Sequence, residues 1–125
     1  MAGAAADRPL FLFESIIRGH HIYKALWTPV VGETVQVCRE PSNPYDIHAV
    51  AIVKDGTTIG HVPREIRRVF SSFLLQGGDI SCEVNGHRKL GKGLEVPCIY
   101  QFTGKENIIK KARAKLCKKK SRSTR

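Results

Sequence analysis

The sequence predicts a mainly β fold, a small antiparallel barrel of about six short strands with one inserted helix. Three observations support this prediction. Apolar and polar residues alternate in short runs, turn signals rich in Gly, Asn and Asp separate these runs, and only one internal segment has a helical apolar period. Because strands and helices do not alternate along the chain, a doubly wound parallel sheet is excluded. The pattern near the C-terminus allows a second helix.

The first half of the chain contains two predicted strands and a loop. Residues 10–18 are rich in Leu, Phe and Ile and are followed by Gly19, which predicts the first strand. Residues 20–27 are compatible with either a short helical turn or a loop. Residues 34–39 alternate Val with polar side chains and predict the second strand, with one buried face. Two prolines within residues 40–46 then stop this strand and predict a rigid loop.

A hairpin and a helix come next. Residues 49–54 and 57–62 flank Asp55-Gly56, a turn signal that permits positive φ at the glycine. Pro63 then predicts the first turn of a helix, whose apolar stripe is Ile66, Val69, Phe70, Phe73 and Leu74 and which ends before Gly77-Gly78. Its basic residues, Arg64, Arg67 and Arg68, face mostly away from this stripe, so they form either a solvated face or a phosphate-contacting one.

A second hairpin completes the barrel. Residues 79–84 and 94–102 alternate as strands, and Asn85-Gly86 predicts the turn between them. The loop is widened by basic residues and glycines, namely His87, Arg88, Lys89, Gly91, Lys92 and Gly93. Such a tip suits the approach of a phosphate, and it also suits a loop that is merely flexible.

Charge divides the chain into a nearly neutral body and a basic tail. The protein has 21 Lys and Arg against 11 Asp and Glu, but residues 1–104 hold 11 basic and 10 acidic residues, while residues 105–125 hold 10 basic residues and only Glu106. We therefore expect a flexible N-terminus at 1–9, a folded domain at 10–104 and a basic tail at 105–125. Part of this tail has apolar residues at helical spacing, which are Ile108, Ile109, Ala112 and Leu116. From Lys118 onward the composition predicts disorder.

The basic tail predicts either a targeting signal or a segment that adds electrostatic binding affinity. Its candidate electrostatic residues are Lys110, Lys111, Lys118, Lys119, Lys120 and Arg122. Two separated clusters of this kind are typical of a nuclear import signal, and the same charges would bind nucleic acid without sequence preference. Both functions are compatible, and we expect the protein in the nucleus.

Several classes of function are disfavoured by what the sequence lacks. The apolar runs are shorter than the roughly 20 residues of a membrane-spanning helix, and Asp7, Arg8 and Pro9 do not suit a secretory signal. The phosphate-binding glycine signatures of motors and kinases are missing, and the acids are scattered singly, so we expect neither an enzyme nor a cofactor. The cysteines lie too far apart for a typical zinc site. Three of them occur in strand patterns that predict buried, apolar thiols, namely Cys38, Cys82 and Cys98.

The strongest pattern lies between residues 37 and 64. It consists of Arg39-Glu40-Pro41-Ser42-Asn43-Pro44-Tyr45-Asp46, then His48-Ala49-Val50, then Gly60-His61-Val62-Pro63-Arg64. This pattern closely resembles the HIRAN domain family, and the resemblance extends over residues 12–104. It implies an OB-like or SH3-like barrel. In that family the domain is often fused to SNF2-type ATPases and RING modules, and its best understood member holds the 3′ end of single-stranded DNA at stalled replication forks.

The resemblance also implies roles for particular residues. Tyr45 would stack on the terminal nucleotide, Asp46 would bind its 3′ hydroxyl, and His61 and Arg64 would contact phosphates. Arg39 and Asn43 belong to the matching loop, while Trp27 and Phe102 are further candidates for contact with the nucleic acid. The residues themselves allow another interpretation, in which Tyr45 covers the barrel mouth and Asp46 caps its own loop as an Asx turn.

One segment departs from the family pattern. Ungapped alignment places Ala25-Leu26-Trp27 where the end-binding member has Arg-Tyr-Tyr, and a gap would bring Tyr23 and Lys24 there instead. DNA-end recognition therefore follows less directly from the resemblance than the fold does.

Two functions of different classes remain. The leading hypothesis is a noncatalytic, monomeric module that binds single-stranded DNA or its 3′ end in DNA repair or replication-fork processing, without a membrane, a metal or a cofactor. Whether a separate helicase-like ATPase recruits it stays open. The alternative is a protein-interaction barrel for a peptide or a modified lysine, with the tail as a nuclear import signal.

Overall fold

The structure is a computed structural model that describes residues 9–19, 27–91 and 93–123. Within these residues the chain forms seven strands and two helices. They are β1 (Leu10–Ile17), β2 (Thr34–Arg39), β3 (Val50–Lys54), β4 (Thr57–His61), α1 (Arg67–Leu75), β5 (Asp79–Val84), β6 (Lys89–Gly91), β7 (Gly93–Thr103) and α2 (Glu106–Ser123). The expectations for residues 1–8, for the segment containing Tyr23, Lys24, Ala25 and Leu26, and for Lys92 lie outside the described residues.

The strands form one antiparallel sheet in the order β1-β7-β5-β2-β3-β4, and β6 pairs with β7 beside this path. The ladder does not close into a continuous barrel. Its two edges meet at a single bridge, where Arg18 and His61 exchange two backbone hydrogen bonds of 2.8 Å. A Cβ at Gly60 would lie 2.4 Å from Ile17 Cγ2 and 3.0 Å from the Arg18 carbonyl oxygen. The glycine therefore permits the close crossing that joins the edges.

The β3–β4 hairpin has the predicted turn. Asp55 and Gly56 adopt φ of 50° and 78°, the combination that matches the twist of a two-residue hairpin. The helix after it, however, begins at Arg67 and not at Pro63. The intervening residues form a separate turn, closed by a hydrogen bond from the Ile66 amide to the Pro63 carbonyl (3.1 Å).

The predicted turn at Asn85-Gly86 is wrong. The Asn85 amide donates to the Pro97 carbonyl (3.1 Å), so pairing with β7 continues past this point. The chain reverses later, between β6 and β7, where Leu90 pairs with Leu94. Gly86 makes room for the Pro97 ring, because a Cβ there would lie 3.1 Å from the Cβ and Cγ atoms of that ring. The basic loop tip thus contains a short strand, β6, in addition to the six strands that the sequence predicts.

An aromatic cluster within the core lies between α1 and the sheet. Phe70 meets Tyr100 and Phe102 edge to face, with ring centroids 4.7 and 4.9 Å away, and Phe73 meets Phe102 at 5.0 Å. Such tilted contacts add to the gain from burial. Burial raises the pKa of the Tyr100 phenol well above its usual value, and its hydroxyl donates to the Ile16 carbonyl (2.7 Å). The phenol therefore stays neutral and paired inside the core.

Two of the three strand cysteines are buried as predicted. Cys82 and Cys98 belong to the core, and the hydrogen bond between them together with burial raises the pKa of the Cys82 thiol. The prediction for Cys38 is wrong, because β2 turns Val35 and Val37 inward and leaves Cys38 on the exposed face.

The C-terminal helix α2 docks on the body through the predicted apolar face. Its buried residues are Ile108, Ile109, Ala112 and Leu116, and it packs on α1 and β1. The Arg113 guanidinium lies 5.4 Å from the centre of the Phe11 ring. The helix continues to Ser123, over residues for which the sequence predicts disorder; Lys and Arg extend a helix readily once docking has nucleated it. Neither α1 nor α2 is both long and apolar enough to span a membrane.

Candidate nucleic-acid interface

An open groove of about 360 Å³ lies where the loop after β2 faces the end of β4 and the turn into α1. Its lining residues are Asn43, Tyr45, Asp46, Ala49, Val50, His61, Val62, Arg64 and Arg67. Five of these were predicted as site residues, namely Asn43, Tyr45, Asp46, His61 and Arg64. We call this surface the loop groove.

The loop that carries Tyr45 is fixed by two side-chain caps. Asn43 Oδ1 accepts a hydrogen bond from the Tyr45 amide, and Asp46 Oδ1 accepts one from the His48 amide, both at 2.9 Å. These are Asx turns, in which a side chain replaces a backbone partner. The Tyr45 side chain is 95% exposed, so it does not cover the barrel mouth. The loop therefore presents a solvent-exposed aromatic ring from a braced backbone.

Arg67 joins the two walls of the loop groove. Its Nε lies 2.5 Å from Asp46 Oδ2, and its Nη1 donates a long hydrogen bond (3.4 Å) to the Arg64 carbonyl. The guanidinium thus holds the loop and the turn before α1 in a fixed relation. The sequence placed Arg67 only on an outward helix face and did not identify it as a site residue. The signal that could have identified Arg67 is the carboxylate of Asp46, because a partly buried carboxylate needs a cationic partner.

His61 is held by a second pair of polar contacts. His61 Nε2 lies 2.8 Å from Glu40 Oε1, and the Asn43 side-chain amide donates to the same oxygen at 3.3 Å. The His61 backbone forms the bridge to Arg18 that joins the sheet edges. Glu40 was not among the predicted site residues, although it stands in the motif. The position of the imidazole is therefore set by both the fold and the loop.

Arg64 differs from the other cations of the loop groove. It is exposed, and no carboxylate among the described residues forms an ion pair with it. An aromatic plane, a cation without an ion-pair partner and a carboxylate with further lone pairs therefore face one groove. This combination suits a nucleotide, because a base stacks on an aromatic ring while its phosphate attracts a guanidinium.

Three predicted site residues lie elsewhere. Trp27 is 5% exposed and its Nε1 donates to Glu33 Oε2 (3.1 Å), while Phe102 is fully buried. Phe102 has no face open to a base, and Trp27 lines a separate pocket beside Lys54 and Asp55, so neither predicted contact belongs to the loop groove. Arg39 Nε donates to Ser71 Oγ on α1 (3.1 Å), which directs this side chain outside the loop groove.

The predicted electrostatic residues lie on α2. Lys110, Lys111 and Lys118 are exposed, and Lys119, Lys120 and Arg122 belong to the last turns of the same helix. Across the described part of the chain, no three His, Cys, Asp or Glu side chains come together as metal ligands would.

Comparisons with known proteins agree with this architecture. The crystal structure of the HIRAN domain of human HLTF has a TM-score of 0.69 at 23% identity, covering 86% of this chain and 88% of that one. The NMR structure of the HLTF HIRAN domain in its DNA-bound conformation has a TM-score of 0.68 at 23% identity, covering 95% and 97%. A protein from Lactobacillus plantarum has a TM-score of 0.55 at 18% identity, covering 75% and 97%.

No curated protein matches the chain. A family model described as the HIRAN domain matches residues 11–92, which is most of the sheet together with α1. This chain therefore belongs to the HIRAN domain family.

Proposed function

We propose that this protein is a noncatalytic nucleic-acid-binding module that holds the 3′ end of a single DNA strand in the loop groove. The observation that carries the proposal is the 95% exposed Tyr45 ring, fixed by Asx turns opposite Arg64. Stacking of one base on such a ring is worth about 1–3 kcal/mol. The human HLTF HIRAN domain, which has the same fold, was solved in a DNA-bound conformation, and this supports the proposal.

Asp46 supplies the preference for a strand end. One of its oxygens accepts from the His48 amide and the other pairs with Arg67, but an ionised carboxylate has about four lone-pair sites and can accept a further hydrogen bond. A free hydroxyl donates such a bond, whereas a phosphate carries negative charge and is repelled. The carboxylate therefore favours a terminal hydroxyl over a terminal phosphate.

A cage for a modified lysine fits the groove less well. Among the described residues that line the groove, Tyr45 is the only Phe, Tyr or Trp, whereas recognition of a quaternary ammonium group uses several rings. We therefore favour the nucleic acid over the peptide. In the cell, the proposed role is DNA repair or replication-fork processing in the nucleus, as a monomer, with the basic C-terminal segment as import signal and a separate helicase-like ATPase as partner.

Fluorescence anisotropy with the full chain tests this function. We expect tighter binding of a single strand that ends in a 3′ hydroxyl than of the same strand with a 3′ phosphate. Tyr45→Ala should weaken binding by about 5-fold to 150-fold, the equivalent of one lost stacking contact. Asp46→Asn should reduce the preference for the hydroxyl, because the amide no longer repels the phosphate.

The matched control is Leu75→Ala, which removes an exposed apolar side chain at the far end of α1. This variant should bind both strands as the unmodified protein does. Equal affinity of Tyr45→Ala and the unmodified protein for the hydroxyl-ended strand would contradict the proposal.

A further inference from the structure

A second basic surface lies between the two helices. α1 contributes Val69, Ser72, Phe73 and Gln76, and α2 contributes Ile108, Lys111, Ala112 and Lys115, around a depression of about 20 Å³. Its floor is apolar, while its rim carries the two lysines, the hydroxyl and the amide. We call this surface the helix groove. It includes residues beyond the 11–92 span of the family model.

The cations around the helix groove are not neutralised by the protein. Lys111 and Lys115 are exposed, and within residues 9–19, 27–91 and 93–123 neither of them forms an ion pair. Lys111 and Lys115 are one helical turn apart, a rise of about 6 Å. Like charges at this spacing repel each other, so an anion that bridges them removes an unfavourable interaction.

The donors at the rim suit phosphate oxygens. The Gln76 side-chain amide donates to Ser72 Oγ (2.9 Å), so the Ser72 hydroxyl accepts this bond and keeps its own proton for another acceptor. A depression of 20 Å³ holds little more than a water molecule, which excludes an inserted base. The helix groove therefore has the chemistry to bind a sugar-phosphate backbone and lacks the space to bind bases.

The helix groove follows the loop groove along α1. Arg67, the first residue of α1, lines the loop groove, and the polar residues Ser72 and Gln76 of the helix groove follow it five and nine residues later. At a rise of about 1.5 Å per residue, these polar residues lie about 7–13 Å from Arg67 along the helix axis. This distance corresponds to roughly 2–4 nucleotides of a stacked strand, at about 3.4 Å each.

We propose that the helix groove binds the phosphates of the same DNA strand whose 3′ end occupies the loop groove, two to four nucleotides further along. The inference rests on the proposed function for the identity of the strand, but it assigns a different site. Because α2 is docked through Ile108, Ile109, Ala112 and Leu116, these cations stand at a fixed distance from Tyr45. A loose basic arm would instead reach phosphates at any distance. The contribution of the helix groove therefore depends on strand length.

The test compares two double variants of equal charge. Lys111→Gln with Lys115→Gln removes the helix groove pair, and Lys105→Gln with Lys110→Gln removes two exposed lysines that do not line it. Glutamine keeps a good helix propensity, so circular dichroism should show unchanged helix content in both variants. Anisotropy is measured over a salt series with single strands of about 2 and about 12 nucleotides that end in a 3′ hydroxyl, because the shorter strand ends before the helix groove.

For the long strand, we expect the groove variant to reduce the slope of log affinity against log salt by about 1.4, because each phosphate contact with a single strand contributes about 0.7. When the salt concentration is lowered from 1 M to 0.1 M, the affinity of the groove variant should therefore rise about 25-fold less than that of the unmodified protein. The control variant should change the slope by less than half as much. For the short strand, the groove variant should bind nearly as the unmodified protein does.

Two results would overturn the inference. Equal losses in the groove and control variants would mean that the tail acts as diffuse charge. An equal loss for short and long strands would mean that the lysines act through the loop groove or the fold. Tyr45→Ala, measured beside them, separates the two proposals: its failure to weaken binding refutes the end-binding function, while the slope change still reports on the helix groove.

Discussion

Two regions of the molecule use the same types of side chain in opposite ways. Near the β3–β4 turn, Trp27 is buried, its Nε1 donates to Glu33 Oε2 (3.1 Å), and Lys54 Nζ donates to Glu33 Oε1 (2.7 Å). In the loop groove, Tyr45 is exposed and Arg64 has no ion pair among the described residues. Each region thus combines an aromatic ring, an acid and a base, but only in the first do the ring and the base both bind the acid.

The difference separates stability from binding. Burial alone would raise the pKa of Glu33, but hydrogen bonds from Lys54, the Val30 amide and Trp27, with the charge of Lys54, outweigh it and hold that pKa below its usual value. The hydrogen bond to Glu33, with the charges of Glu33 and Asp55, raises the pKa of Lys54. Trp27, Glu33 and Lys54 therefore stabilise the folded chain through their contacts with one another. In the loop groove, the Tyr45 ring and the Arg64 guanidinium are exposed and can contact a ligand.

The largest expected effect separates the two aromatic rings. Trp27→Ala removes a buried ring and should lower the free energy of unfolding by about 3–5 kcal/mol. Tyr45→Ala removes an exposed ring and should change it by no more than about 0.5 kcal/mol. Urea denaturation followed by circular dichroism measures both. A comparable loss of unfolding free energy in Tyr45→Ala would show that the loop supports the fold, and would contradict the assignment of Tyr45 to binding alone.

A smaller effect is expected where the sheet edges meet. Gly60→Ala places a methyl group against Ile17 and the Arg18 carbonyl, so it should cost about 1–3 kcal/mol of stability and shift His61 in the loop groove. The control is Gly56→Ala, where the positive φ strains the turn but no atom lies within 4 Å of the new Cβ. Both variants should lose stability in thermal unfolding, yet only Gly60→Ala should also weaken DNA binding. Unaltered binding in Gly60→Ala would show that the bridge does not position the groove.

The smallest effect depends on pH. Because the folded-state pKa of Glu33 is depressed, its contribution is present above the unfolded value near 4.5 and is lost as the pH falls through the folded value. Glu33→Gln should lower the free energy of unfolding by about 1 kcal/mol at pH 7 and should flatten its decline in acid. The exposed Glu14→Gln serves as control. Parallel curves for Glu33→Gln and the unmodified protein would contradict this role.

Local patterns were sufficient for most of the fold. The alternation of residues 34–39 and the Asp55-Gly56 turn predicted β2 and the first hairpin, because both depend on neighbouring residues. Asn85-Gly86 gave the same local signal, but Gly86 instead makes room for Pro97, which is a contact across the sheet. A turn signal and a packing glycine cannot be distinguished within a short window of sequence.

The candidate site divides in the same way. Asn43, Tyr45 and Asp46 belong to one motif, and this motif was sufficient to predict them as site residues. Their partner Arg67 is 21 residues beyond Asp46 and meets it only after α1 has packed on the sheet. Burial decided the remaining cases, since a ring such as Phe102 has the same chemistry in the core as on the surface and only packing tells the two apart.

The register of β1 with β7 has a consequence for protein architecture. Leu10 is the direct partner of Thr103, so the first and last residues of the sheet lie about 5 Å apart. A domain whose ends meet in this way can be spliced into a surface loop of a host protein without stretching either chain. A graft bounded by Leu10 and Thr103 would carry the loop groove but would leave out α2, and with it the helix groove.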